Sequence, residues 1–162
     1  MKTFFFLIAT IISFSATAQV TKVSIQASGL TCSMCSNSIN KSLKSIDFVD
    51  NVKPNIKTST FEITFKPSAK VDFDQLKKKV EDAGFTVANF VAAINFNNIQ
   101  AKTSQPVKVG DKTFYILNAR DQNLNGNTEV RIVNKGFVSG KESKKITLAT
   151  TSPARGVYNV TI

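Results

Sequence analysis

An α+β architecture is expected for this 162-residue chain on three grounds. Strand-like alternation recurs over residues 21–27 and 60–66, apolar residues at helical spacing follow each of these runs, and beyond about residue 92 only the strand-like period persists. The expectation is a βαββαβ unit over residues 19–92, then a small β-rich domain over 93–162, with residues 1–18 belonging to neither.

In the first unit, Val23 and Ile25 alternate with polar neighbours, the pattern of a half-buried strand, and Gly29 breaks it. Ile39, Leu43 and Ile46 then fall on one helical face while Lys41 and Lys44 fall on others, which predicts an amphipathic helix over residues 34–46. Residues 48–53 and 60–66 read as strands. In the second of these Phe61, Ile63 and Phe65 alternate with Glu62 and Thr64, so that one face meets a core and the other meets solvent. Asp72 followed three residues later by Gln75 has the form of a capping box, and Leu76, Val80 and Ala83 make the apolar stripe of a second helix that Gly84 stops. A strand over residues 86–92 completes the order, which is the split βαβ, ferredoxin-like arrangement.

The remainder alternates apolar and polar residues over 94–99, at Phe114 and Ile116, at Val130 and Ile132, and over 157–162. Turns are expected at Gly110-Asp111 and Asn125-Gly126, and a short helix over 139–146. Such elements suit a small barrel or sandwich, the OB fold being one form of it.

Composition narrows the chemistry. Hydrophobic residues make up 42% and charged residues 20%, an ordinary globular balance. With no His in the chain, a Ser/His or Cys/His catalytic couple and any His-ligated zinc or haem are excluded. The two cysteines, Cys32 and Cys35, are the only thiols.

Lys2, an apolar run from Phe4 to Phe14 and Ala16-Thr17-Ala18 together form the pattern of a secretory signal, so the mature chain is expected to begin near Gln19. The run is too short to span a bilayer core of about 30 Å, and no later run is apolar enough to do so. An exported protein without an integral membrane segment is expected, periplasmic or secreted, with a bacterial periplasm foremost. The charge is +10, and its excess lies in the second half, where 10 bases face 4 acids against 10 and 7 over residues 19–92.

Gly29-Leu30-Thr31-Cys32-Ser33-Met34-Cys35 joins the first strand to the first helix. A Cys-x-x-Cys bend lets two thiolates converge on one ion, and thiolate suits soft ions such as Cu(I). Amide N–H groups and the positive end of the helix dipole favour anionic sulfur at this position, which predicts a lowered pKa, for Cys35 above all.

The run GLTCSMC resembles the GMTCxxC signature of heavy-metal-associated domains, a family of copper chaperones, amino-terminal modules of copper-transporting ATPases and periplasmic mercury-binding proteins. The likeness covers residues 20–92 and extends to Glu81-Asp82-Ala83-Gly84-Phe85, where relatives end the second helix beside the metal loop. It implies that Cys32 and Cys35 ligate one soft ion in near-linear geometry, with Gly29 and Thr31 shaping the loop. Leu30 replaces the family's usual Met, an apolar exchange at the position that plugs the loop into the core. Phe85 falls where an aromatic or lysine packs near the metal, which gives it two readings, shield of the ion or ordinary core residue. Met34 reads as an exposed loop residue, its thioether being an additional donor open to Cu(I). Lys77, Lys78 and Lys79 read as a solvated face or as a guide for an acidic partner.

Two other readings compete. A redox dithiol also has CxxC at a helix start, although no Trp precedes Cys32 and the element order is not that of thioredoxin. A non-metal exported interaction module would work through the basic second half, and scattered lysines in an exported chain argue against nucleic acid as its partner. The favoured expectation is a carrier, not an enzyme. It takes Cu(I), or another soft ion such as Hg(II) or Ag(I), and passes it to a metal-transporting ATPase or other metal-accepting protein.

Overall fold

The computed structural model describes residues 20–30, 32–103, 105–140, 142 and 154–162. The expected export signal and Thr31 lie outside the described residues. So does most of the helix expected over 139–146, of which Gly140 and Glu142 are helical.

β1 (Val20–Ser28) buries Val23, Ile25 and Ala27 on one face. α1 (Ser33–Lys44) follows and turns Ile39 and Leu43 inward. β2 (Val49–Asn55) and β3 (Thr60–Phe65) form an antiparallel pair in which Val52 lies opposite Ile63. α2 (Phe73–Asp82) starts at Asp72, whose carboxylate accepts the amide of Gln75 at 3.1 Å, the cap that the sequence foretells. Its buried stripe is Phe73, Leu76 and Val80, beginning three residues earlier than expected because Phe73 also points inward. β1 pairs antiparallel with both β3 and β4 (Thr86–Ala101), so residues 20–92 have the ferredoxin-like βαββαβ fold.

The second half departs from expectation. β4 does not end near residue 92; it runs on to Ala101, and the stretch over 94–99 is its continuation, not a new strand. β5 (Pro106–Val109) and β6 (Lys112–Ile116) form a hairpin about the expected Gly110-Asp111 turn, β7 (Gln122–Ile132) pairs with β4, and β8 (Val157–Thr161) lies between β7 and β6. The result is one sheet in the order β2-β3-β1-β4-β7-β8-β6-β5, with β2 and β5 at its edges. No separate OB-like barrel or sandwich forms among the described residues. The physical reason is the free edge of β4: a long strand with an unpaired row of N–H and C=O groups is satisfied by β7, and the later strands then add to that edge.

Asn125-Gly126 is not a turn. Gly126 lies within β7 opposite Phe96, and the register slips between Phe96 and Ile99, so that Asn97 and Asn98 face Asn125 alone. This bulge sets Asn98 at φ 50° and Gly126 at φ 77°, the left-handed region in which Asn and Gly are both tolerated.

One aromatic cluster joins the halves. The Phe73 ring lies 5.3 Å from Phe90, 5.2 Å from Tyr158 and 6.4 Å from Phe114, and Phe90 meets Phe137 edge-on at 5.1 Å. α2 is therefore packed against strands from both halves of the chain, and the helices hold the loop before α1 at one end of the sheet.

Candidate metal centre

The loop begins where β1 ends. Ser28 pairs with Thr86, the first residue of β4, and Gly29 then reverses the chain at φ 83°, a conformation that costs a residue bearing a Cβ. Leu30 packs against the core, which is the anchoring role that the sequence assigns to it. Phe85 is half-buried against the same core and directly precedes Thr86, so its backbone borders the loop.

Cys32 is the N-cap of α1. Its backbone is extended at φ −144° and ψ 155°, its carbonyl accepts the amide of Ser36 at 3.3 Å, and its sulfur accepts the amide of Cys35 at 3.2 Å. The sulfur that receives the helix-end donor is therefore that of Cys32, whereas the sequence singles out Cys35. Both readings use the same orphan amides; the difference is one of register, since α1 starts at Ser33 and not at Met34. Cys32 is exposed and Cys35 half-buried.

The two sulfurs are joined as a disulfide, with Cα atoms 5.4 Å apart. In this form each sulfur is bonded to the other and has no charge to offer an ion. Reduction leaves two thiols held in one place by the loop and the first turn of α1. The amide of Cys35 and the positive end of the α1 dipole lie where they would favour negative charge on the Cys32 sulfur once the disulfide is reduced. The first turn of α1 has no acidic residue to oppose that charge. Among the described residues no group of three or more His, Cys, Asp or Glu side chains comes together, so the cysteine pair stands without a harder ligand beside it. Two thiolates alone fit a soft ion of low coordination number and fall short of a tetrahedral zinc site.

Met34, expected in the loop, lies in the first turn of α1 and is 80% exposed. The lysine run on α2 is only partly the solvated face expected. Lys77 lies 5.1 Å from the centre of the Phe137 ring, Lys78 pairs with Asp82 at 2.8 Å, and Lys79 donates to the Ser45 hydroxyl at 3.1 Å.

Sequence reasoning missed a charged cleft of about 460 Å³ where α2, the β5–β6 turn and β8 meet. There Arg155 pairs with Asp72 at 2.8 Å, and Lys70 and Lys112 pair with Asp111 at 3.3 and 2.7 Å. No local pattern announces it, because its residues come from separate stretches of the chain. Its charges are spent on one another.

Comparison with known proteins finds relatives of the first half of the chain. The model of the heavy-metal-associated domain matches residues 24–86. The mercuric transport protein periplasmic component of Pseudomonas fluorescens is 33% identical over 63 residues, which are 39% of this chain and 68% of that protein. A copper-exporting P-type ATPase of Staphylococcus saprophyticus is 40% identical over 57 residues, 35% of this chain and 7% of the ATPase. The chain spans less than a tenth of the length of the copper-exporting ATPases it matches. Among solved structures, oxidized MerP from Ralstonia metallidurans CH34 is 27% identical, with 43% of this chain and 96% of that one covered at a TM-score of 0.40.

The fold and the family match define a metal-binding α+β module. The chain belongs to the heavy-metal-associated domain family.

Proposed function

We propose that the reduced protein captures a soft metal ion, Cu(I) foremost, on Cys32 and Cys35 and passes it to the thiolates of a partner. The observation that carries this reading is the pair of sulfurs held together at the open start of α1, with an amide donated to one of them. The ion is cargo. Each thiol gives up its proton as the metal binds, and two-coordinate Cu(I) leaves room for an incoming sulfur. Transfer then proceeds through a three-coordinate intermediate without release of free ion. No bond of the cargo is made or broken beyond those to sulfur, so this is carriage and not catalysis.

Hg(II) and Ag(I) suit the same donors. The signal pattern in residues 1–18 and the likeness to a periplasmic mercuric transport component support an exported, periplasmic site of action. Among the described residues no helix is long and apolar enough to cross a membrane. Likeness to copper-exporting ATPases supports a metal-transporting ATPase as the acceptor. The strands after residue 92 serve, in this reading, to brace the metal module through β4 and the Phe73 cluster.

Anaerobic titration of phosphine-reduced protein tests the proposal. About one Cu(I) per chain is expected, held against a competing chelator and lost on oxidation or when both cysteines become serine. Absence of binding by the reduced protein overturns it. The disulfide favours a second reading, a thiol–disulfide redox protein. That reading requires exchange of the pair with a dithiol partner and no retention of metal, an outcome the same titration separates.

A further inference from the structure

The first turn of α1 carries a third sulfur that neither the core nor the cysteine pair uses. Met34 lies on the side of α1 away from the core: Ile39 and Leu43 fall about 140° and 180° from it at the helical repeat of 3.6 residues per turn. It is 80% exposed and has no place in the hydrophobic core of the described residues. A single exposed apolar residue is ordinary on a protein surface and by itself signals little. Its position and chemistry add the rest.

Side chains of a helix lean toward the helix N-terminus, so Met34 leans toward the N-cap residue Cys32. Its unbranched side chain has three rotatable bonds, and exposure leaves those bonds free to turn. Apart from the cysteines and Met1, Met34 is the only sulfur in the sequence, and there is no His. No acidic residue occupies the first turn of α1, and the Met34 thioether is the further soft donor there, one that adds no charge to an anionic dithiolate site.

We propose that the Met34 thioether acts as a third, weak and detachable ligand to Cu(I) held on Cys32 and Cys35, and so biases the site toward monovalent soft ions. The inference rests on the proposed binding of metal by those two cysteines. A thioether bond to Cu(I) or Ag(I) shields the open side of the ion while the carrier is alone. An incoming thiolate, the stronger donor, displaces it in transfer, and no electron or proton moves in that exchange. Hg(II), satisfied by two thiolates in a line, gains little from the thioether.

The test uses the reduced full chain and Met34→Leu, a change of similar volume. Wild-type protein labelled with 13C at the methionine methyls is titrated with Cu(I), the Met34 signal being assigned by its loss in the variant. Retention of Cu(I) and of Hg(II) against a chelator is measured in both proteins. The expected result is movement of the Met34 methyl signal up to one equivalent of Cu(I), retention of Cu(I) weakened about tenfold in Met34→Leu, and retention of Hg(II) unchanged. A methyl signal that stays still while Cu(I) binds overturns the inference alone, and so does equal affinity in the two proteins or an equal loss for both ions. Failure of the wild-type protein to bind Cu(I) overturns the cysteine site and this ligand with it.

Discussion

The hydroxyl of Tyr158 in β8 donates to the carboxylate of Asp74 in the first turn of α2 at 2.9 Å, across 84 residues of sequence. The Tyr158 ring is almost wholly buried beside that of Phe73, and the bond from its hydroxyl is partly buried. Burial first, and then the charge and hydrogen bond of Asp74, push the Tyr158 hydroxyl upward from its ordinary value, so it remains a proton donor at neutral pH. Substitution of Tyr158 by Phe removes the bond and keeps the ring. A loss of about 1.5–3 kcal/mol in urea unfolding is expected, as for a hydrogen bond to a charged acceptor, with metal retention at the distant loop unaltered.

Phe73 joins both halves through Phe90 on β4 and through Phe114 and Tyr158 on β6 and β8. Phe73→Ala empties the centre of that cluster and is expected to cost about 3–5 kcal/mol. Because the same ring supports strands on either side of residue 92, near-ultraviolet dichroism and fluorescence of a probe in either half should report one shared unfolding transition. Two separated transitions would show that the halves fold independently.

Acid should weaken the cleft between α2 and the β5–β6 turn. Burial acts to raise the carboxyl of Asp72, but the hydrogen bond from Arg155, the amide of Gln75 and the charge of Arg155 outweigh it, leaving Asp72 below its ordinary 3.8. At Asp111 burial again acts upward, and the bonds and charge of Lys112 and the bond of Lys70 prevail. A depressed carboxylate contributes stability that is complete above its unfolded value and is lost as pH falls through the folded one. The urea midpoint should therefore hold steady down to about pH 5 and fall below pH 4, the unfolded carboxylate range. In Asp72→Asn and Asp111→Asn the fall should be shallower.

Cys32 has two duties that substitution can part. Its sulfur caps α1 by accepting the amide of Cys35, and serine is among the best residues for that duty. In reduced protein, Cys32→Ser is expected to leave the unfolding midpoint nearly unchanged while abolishing retention of Cu(I). Cys32→Ala should abolish retention as well and cost about 1 kcal/mol through the lost cap. Comparing the two midpoints separates a structural loss from a chemical one.

The candidate site was legible in the residues because its parts are contiguous. Gly29, Leu30, Cys32 and Cys35 span seven positions, and a strand before and a helix after them are written in short periodic patterns. The first three strands, both helices and the start of β4 were legible for the same reason, to within a few residues. Asn125-Gly126 misled because a glycine at positive φ, such as Gly126, serves in a bulge as well as in a hairpin, and only the partner strand decides which forms. The oxidation of the cysteine pair, and the capping of α1 by Cys32 one residue earlier than periodicity suggested, depend on three-dimensional proximity that spacing does not specify.

From the residues alone follow the βαββαβ order, the cap at Asp72, the soft-donor pair and the lack of any His to complete a harder site, since each is a matter of local pattern or of composition. Tertiary structure decided that β4 carries on to Ala101, that β7 covers its edge, and that Phe73, Phe114 and Tyr158 share one core. An unpaired strand edge and a buried ring each need a partner, and alternation along a strand states which face is apolar without stating what will cover it. That partner comes from distant chain, so it is found only when the whole sheet is assembled.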